Sequence, residues 1–248
     1  MTVPLHVPAT DARPLKYTPP GTVAEILARD PRLIIPVGSC EQHGPHLPLG
    51  CATILAECLC DDLSATYGVL RAPTVEYGVN VESMREAMGN SSMRRKTLHR
   101  MLNDLLASWE GCGFREFILI TAVDNDPHQD ALSTVVTREA RVRVVDMYAV
   151  PIGDLLDGQT EHMHGDEADT SMMLYLAPHL VRMEWAQDFM MSPEQLRRYR
   201  RGHLRVPKES AGSIGRPTLA TAEKGLALYE RIRQRVSERI FLTPALDT

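Results

Sequence analysis

The chain has 248 residues, 44% of them hydrophobic and 24% charged, which suits a globular protein with room for one sizeable domain. A formal net charge of −5 argues against a nucleic-acid or anionic-membrane partner. No apolar run is long enough to span a bilayer, and the Pro-punctuated start lacks the basic-then-apolar order of a signal peptide. Cys40, Cys51, Cys58, Cys60 and Cys112, odd in number and without C-x-x-C spacing, favour reduced thiols and a cytoplasmic location.

Residues 1–21 read as an extended arm, and 22–248 as one domain. Thr22 caps a short helix that ends near Ala28. Leu33 to Val37 is a buried strand. Thr53 to Tyr67 is a helix stopped by Gly68, followed by a short strand from Val69 to Ala72 that Pro73 closes. Residues 77–92 are a polar loop. A long helix runs from Met93 to Gly111, with Leu98, Met101, Leu102, Leu105, Leu106 and Trp109 at helical spacing. Strands follow at Glu116 to Ala122 and Arg141 to Val150, a helix at Asp169 to Leu176, and an amphipathic helix at Thr221 to Ile240. The arginines at 197, 198, 200, 201 and 205 read as a solvated helix-and-loop face. Strands alternating with helices imply an α/β fold, a mainly parallel sheet in three α/β/α layers.

The segment Gly38-Ser39-Cys40-Glu41-Gln42-His43-Gly44-Pro45-His46-Leu47-Pro48-Leu49-Gly50 lies at the C-terminal end of the first confident strand, where ligands bind in open α/β sheets. Glu41 and His43 are two residues apart, so in extended backbone their side chains leave the same face and can converge on one ion.

That segment resembles the hallmark of the creatininase (creatinine amidohydrolase) family. The similarity continues in Gly113-Phe114-Arg115, in His164-Gly165-Asp166-Glu167-Ala168-Asp169-Thr170-Ser171, and in Gly215-Arg216-Pro217 with Ala220-Thr221-Ala222-Glu223-Lys224-Gly225. The resemblance implies a creatininase-like three-layer fold, a homo-oligomer that is often a hexamer, and cleavage of amide C–N bonds by two divalent ions sharing a bridging carboxylate. It also implies a ligand set of which Glu41 and His43 match. The bridging Asp falls on Ala52, a ligand His on Asn125, a Glu on Asp169, and a loop His on Met84.

Several readings follow. Asp124, Asp126 and His128, at alternate positions of the rewritten strand end, could join Glu41, His43 and Asp169 around one zinc, manganese or iron ion. With no metal, Glu41 or Asp169 could act as base and His43 or His164 as its proton partner, with His46, Asp124, Asn125, Asp126 and His128 contacting substrate. The expected substrate is a small nitrogen-rich molecule with an amide, lactam or guanidine-type centre, which is hydrolysed, cyclised or subjected to elimination. The alternative is a catalytically silent binding or assembly subunit.

Overall fold

In a computed structural model of the chain, the described residues are 6, 7, 9–81, 88–201, 203, 207 and 209–242. Met84 lies outside them. Among the described residues five strands form one sheet: β1 (Arg13–Pro14), β2 (Arg32–Pro36), β3 (Leu70–Arg71), β4 (Glu116–Thr121) and β5 (Arg141–Asp146). Their order is β1-β3-β2-β4-β5, and every pairing is parallel. From the segment read as an arm, Arg13 and Pro14 lie along β3 as the sheet's edge.

Alternation along the two central strands builds the layers. Ile34 of β2 and Ile118 and Ile120 of β4 point to one face, where they meet α2 (Cys51–Tyr67), α5 (Glu167–Leu176) and α7 (Ala222–Ser237). Leu33, Ile35, Phe117 and Leu119 point to the other, against α1 (Pro20–Leu27), α3 (Arg95–Gly111) and α4 (Asp126–Ser133). Both faces are covered, which is why these strands read as continuous apolar runs. A seventh helix, α6 (Pro193–Arg200), stands outside both cores, with Leu196 and Tyr199 in a small cluster beside Val81, Met163, Met191 and Ile214. Among the described residues no helix is long and apolar enough to cross a membrane.

Several boundaries differ from those expected. The first helix starts at Pro20 and not at a Thr22 cap, because a proline at the first helical position has no orphan N–H to satisfy. The strand expected over Arg141 to Val150 ends at Asp146, whose side chain accepts the Tyr148 amide and turns the chain into a short 3-10 segment, Met147–Ala149. The expected extended strand end at 124–128 is instead the start of α4. Asn125 caps it and Pro127 occupies its first turn.

The connections leave β2 and β4 on opposite faces: α2 follows β2 on one side of the sheet and α4 follows β4 on the other. Adjacent parallel strands whose connections diverge leave a crevice beyond their carboxyl ends. The residues that follow β2 and β4 therefore meet at one point.

Candidate functional site

That point is a small enclosed chamber bordered by Glu41 and His43 from the loop after β2, by Asp124 after β4, and by His162, His164 and Tyr199. Glu41 and His43 are 3% and 4% exposed. His43 donates Nδ1–H to the Glu41 carbonyl oxygen at 2.8 Å, which fixes its tautomer and leaves Nε2 with a free lone pair. The Glu41 carboxylate accepts no hydrogen bond among the described residues. Burial, with Asp124 and Asp169 facing it, pushes its pKa up to about 8. His164 stacks on His43 with ring centroids 4.5 Å apart and donates Nε2–H to the Gln42 carbonyl oxygen at 2.7 Å. Burial lowers His43 and takes His164 down to about 3, so both rings are neutral.

The turn that carries His164 packs directly on the motif loop. Gly165 has φ +61°, and a methyl group there would collide with the His43 carbonyl. Its amide donates to Asp169 Oδ2 at 2.8 Å. The first turn of α5 is held by Asp166, whose Oδ1 accepts the amides of Ala168 and Asp169, both at 2.9 Å. Asp166 Oδ2 takes the Met163 amide at 2.6 Å and the Gln159 side chain, so this carboxylate is saturated as a cap.

Asp169 sits one layer behind the chamber. Its Oδ1 accepts the Tyr148 hydroxyl, and its Oδ2 lies 3.2 Å from His162 Nε2. The other ring nitrogen of His162 is 3.1 Å from Asp124 Oδ2, so two carboxylates bracket one imidazole. Burial opposes charge on His162, but Asp169, Asp166 and Asp124 outweigh it and hold the ring well above the ordinary histidine range. Tyr148 stacks on the same ring with centroids 3.4 Å apart. Arg200, at the end of α6, brings its Nε to 3.2 Å from Asp124. Sequence reasoning did not name His162 or Tyr148, and it read Arg200 with its neighbours as a solvated face, whereas the guanidinium turns inward to Asp124, Glu161 and His162. Arg205 lies outside the described residues. The alternation His162-Met163-His164 was the one available signal, since it places two imidazoles on the same side of an extended turn.

The remaining expected residues divide. Asp124 borders the chamber. Asn125 borders it, but its side chain is spent: Oδ1 caps α4 by accepting the His128 amide at 3.0 Å, and Nδ2 donates to the Val79 carbonyl oxygen at 2.9 Å. Asp126 is exposed on the first turn of α4 and lines a neighbouring cleft. His128 does not join Glu41 and His43. It is fully buried beneath the sheet edge, accepts the Val79 amide at Nδ1 at 3.2 Å and meets Thr121 Oγ1 at 3.1 Å. A single helical turn at Asp126 sends the side chains of 126 and 128 away from the face that a strand would have given them. His46 lies apart from the chamber, with Nε2 2.8 Å from Thr170 Oγ1, where it ties the motif loop to α5. Ala52 is buried in the first turn of α2. Cys40 is half-buried near the Gly89 carbonyl, and all five cysteines are free.

A parallel α/β sheet with imidazoles and carboxylates gathered at its topological switch point defines an α/β protein of enzyme-like architecture. The family model for creatininase, described as creatinine amidohydrolase, matches residues 19–240, and the chain belongs to that family. A mycofactocin precursor peptide peptidase of Mycobacterium tuberculosis is 30% identical over 223 residues, covering 84% of each chain. A creatinine amidohydrolase of Pseudomonas putida is 23% identical over 243 residues, covering 88% of this chain and 91% of that one. A creatininase variant structure of zinc–zinc type superposes with a TM-score of 0.78 at 20% identity, covering 94% of this chain and all of that one. A manganese creatininase structure gives 0.74 at 20% identity over 93% of this chain and 99% of that one. These superpositions establish the fold.

Proposed function

We propose that this chain is an enzyme acting on an amide, lactam or guanidine-type C–N bond of a small nitrogen-rich molecule, at the chamber of Glu41 and His43. The observation that carries the reading is a pair of buried, unengaged groups on one wall: the Glu41 carboxylate and His43 Nε2 have no hydrogen-bond partner among the described residues. Both residues are buried overall but line the chamber, so these unpaired atoms are open to whatever occupies it. The family relatives bearing the names amidohydrolase and peptidase support cleavage of a C–N bond as the class of reaction.

Glu41 and His43 are oxygen and nitrogen donors of the kind zinc or manganese takes, and with Asp124 they border one chamber. Among the described residues, however, the group whose ligand atoms lie within 4.8 Å of one another is His162, Asp166 and Asp169. A single ion on the motif loop, and not a bridged pair, is the proposal. The bridging position that the resemblance implies is the methyl of Ala52, and the amide of Asn125 is consumed as a helix cap. Asp166 and Asp169, although near His162, are already engaged by backbone and side-chain donors. A single ion held by Glu41 and His43 would polarise a carbonyl or acidify a bound water. His164, neutral and stacked on His43, has its Nε2–H on the Gln42 carbonyl oxygen and no partner at Nδ1 among the described residues, so it can accept a hydrogen bond there. Asp169 and Asp124 keep His162 fixed between them. The expected homo-oligomeric state, which rests on the resemblance, and the cytoplasmic location, which rests on the reading of the cysteines as reduced thiols, belong to this proposal.

The test is turnover on a panel of cyclic amides, formamides and short peptides. Glu41→Gln and His43→Ala should each cut it at least a hundredfold while circular dichroism stays unchanged; full activity in both refutes the reading. A second reading, a binding or assembly subunit, draws on the enclosed volume of ≈ 10 Å³, which holds no organic substrate as it stands. It requires stable association with a catalytic partner, so purification of the chain alone as a competent enzyme disposes of it.

A further inference from the structure

The chamber has room for about one water or ion, ≈ 10 Å³. Beside it opens a cleft of ≈ 450 Å³, in the range of small-molecule sites. The two volumes share Asp124 and His162 as their common wall. A substrate that reaches Glu41 and His43 must therefore move something.

α6 is the element that touches both sides of that wall. Tyr199 borders the chamber, its ring centroid 6.0 Å from that of His164. The side chain is almost fully buried, yet its hydroxyl has no hydrogen-bond partner among the described residues. The next residue, Arg200, borders the cleft and makes three contacts with one guanidinium. Its Nε is 3.2 Å from Asp124, one amino group donates to Glu161 at 3.1 Å, and the other donates to the His162 carbonyl oxygen. Arginine keeps its charge at any working pH, so these contacts do not depend on titration of the guanidinium.

Among the described residues the helix is lightly anchored elsewhere. Leu196 and Tyr199 pack into a satellite cluster of six buried residues, separate from the two cores that flank the sheet. Lifting α6 would open that cluster and release Arg200 while leaving both main cores intact. Elements with few buried apolar contacts open well below the free energy of global unfolding.

We propose that α6 is a lid over the site, with Arg200 as its latch, and that its opening joins chamber and cleft into one volume large enough for a small organic substrate. In the closed state Tyr199 is brought against the chamber, where its free hydroxyl can donate to whatever occupies it. Only the occupant's identity rests on the catalytic reading; the motion does not.

Access to the chamber is measurable without a substrate. Diethyl pyrocarbonate labels accessible neutral imidazoles, and peptide mass spectrometry resolves each histidine. Arg200→Met should raise the labelling rate of His43 at least tenfold, with Arg200→Lys between it and the unmodified protein, while His128 beneath the sheet stays unlabelled in all three. An unchanged rate at His43 overturns the latch, and a parallel rise at His128 overturns it in favour of general loosening. Hydrogen exchange on the unmodified protein serves where Arg200→Met does not fold. Amides of α6 should exchange at least a hundredfold faster than those of α5 and α7, and exchange in step with them overturns the lid. Neither result depends on whether Glu41→Gln abolishes turnover, so the two proposals fail separately.

Discussion

His128 and Asn125 sit three residues apart and do structural work that a strand reading of the same segment assigned to the site. His128 satisfies the Val79 amide inside the protein, and burial pushes its pKa down to about 3 from an ordinary 6.5. The unfolded chain takes up a proton on this ring near pH 6.5, whereas the folded chain does so only near 3. Its contribution is therefore fully present above pH 6.5 and is lost as pH falls toward 3. The slope is at most about 1.4 kcal/mol per pH unit. Urea unfolding at pH 7.5 and pH 5 should show this loss, and His128→Gln should flatten it; identical slopes in both proteins would remove His128 as the cause. At pH 7.5 the same substitution should itself cost about 1–3 kcal/mol, because a buried amide loses its acceptor. Asn125→Ala removes a helix cap and should cost about 1 kcal/mol in the same assay, with metal content unaltered. A fall in bound metal would restore Asn125 as a ligand. Glu41 and His43 were legible as a convergent pair because two residues of extended backbone suffice to place them. Asn125 was misread because Asn-Asp-Pro is a helix start as well as a turn, and the choice between them decides where every later side chain points.

Helix α7 lies on α5 at a single point of closest approach, Gly225. A methyl group there would collide with the Ser171 carbonyl oxygen and crowd Tyr175. Two effects of Gly225→Ala oppose each other. Helix propensity favours alanine by about 1 kcal/mol, while forcing a methyl against helix backbone costs roughly 1–3 kcal/mol or more. The collision is with backbone, which yields least, so the upper end of that cost applies and the net effect should be destabilising by about 2 kcal/mol or more. A melting temperature that rises would show that the helices part freely. The same contact anchors the site, since Ser171 and Asp169 share α5. A second tie joins the two helices: Lys224 Nζ lies 2.5 Å from the carboxylate of Glu167, which also accepts the amides of Asp157 and Gly158 at 3.0 and 2.9 Å. At this scale the helices with an apolar stripe were readable from periodicity. The short helices α4 and α6 were not, since eight residues give barely two turns of pattern. Their proline and cap signals, Asn125 with Pro127 and Ser192 with Pro193, were present in the sequence but compete with turn readings.

For the molecule as a whole, the alternation of apolar strands and helices was enough to give the layers, because buried parallel strands leave few other arrangements. The meeting of His162, Tyr148 and Arg200 was not, since Tyr148 and His162 lie at opposite ends of the long connection between β5 and α5 while Arg200 ends α6, and their convergence depends on how whole elements pack. One consequence reaches the entire fold. An ion bound only by the folded state stabilises it by about 4 kcal/mol when present at a thousand times its dissociation constant. A chain of this length shifts its melting temperature by roughly 2–4 °C per kcal/mol. Chelator-treated protein given zinc or manganese at that excess should therefore melt roughly 8–16 °C higher. Glu41→Gln should lose most of the shift, because the open carboxylate supplies one of the two ligands fixed by the motif loop. Elemental analysis of the same samples should stop at one ion per chain, since Ala52 offers no bridge to a second. Two ions per chain would overturn the single-ion proposal. No shift with either metal would leave Glu41, His43 and His164 to act by acid–base chemistry alone.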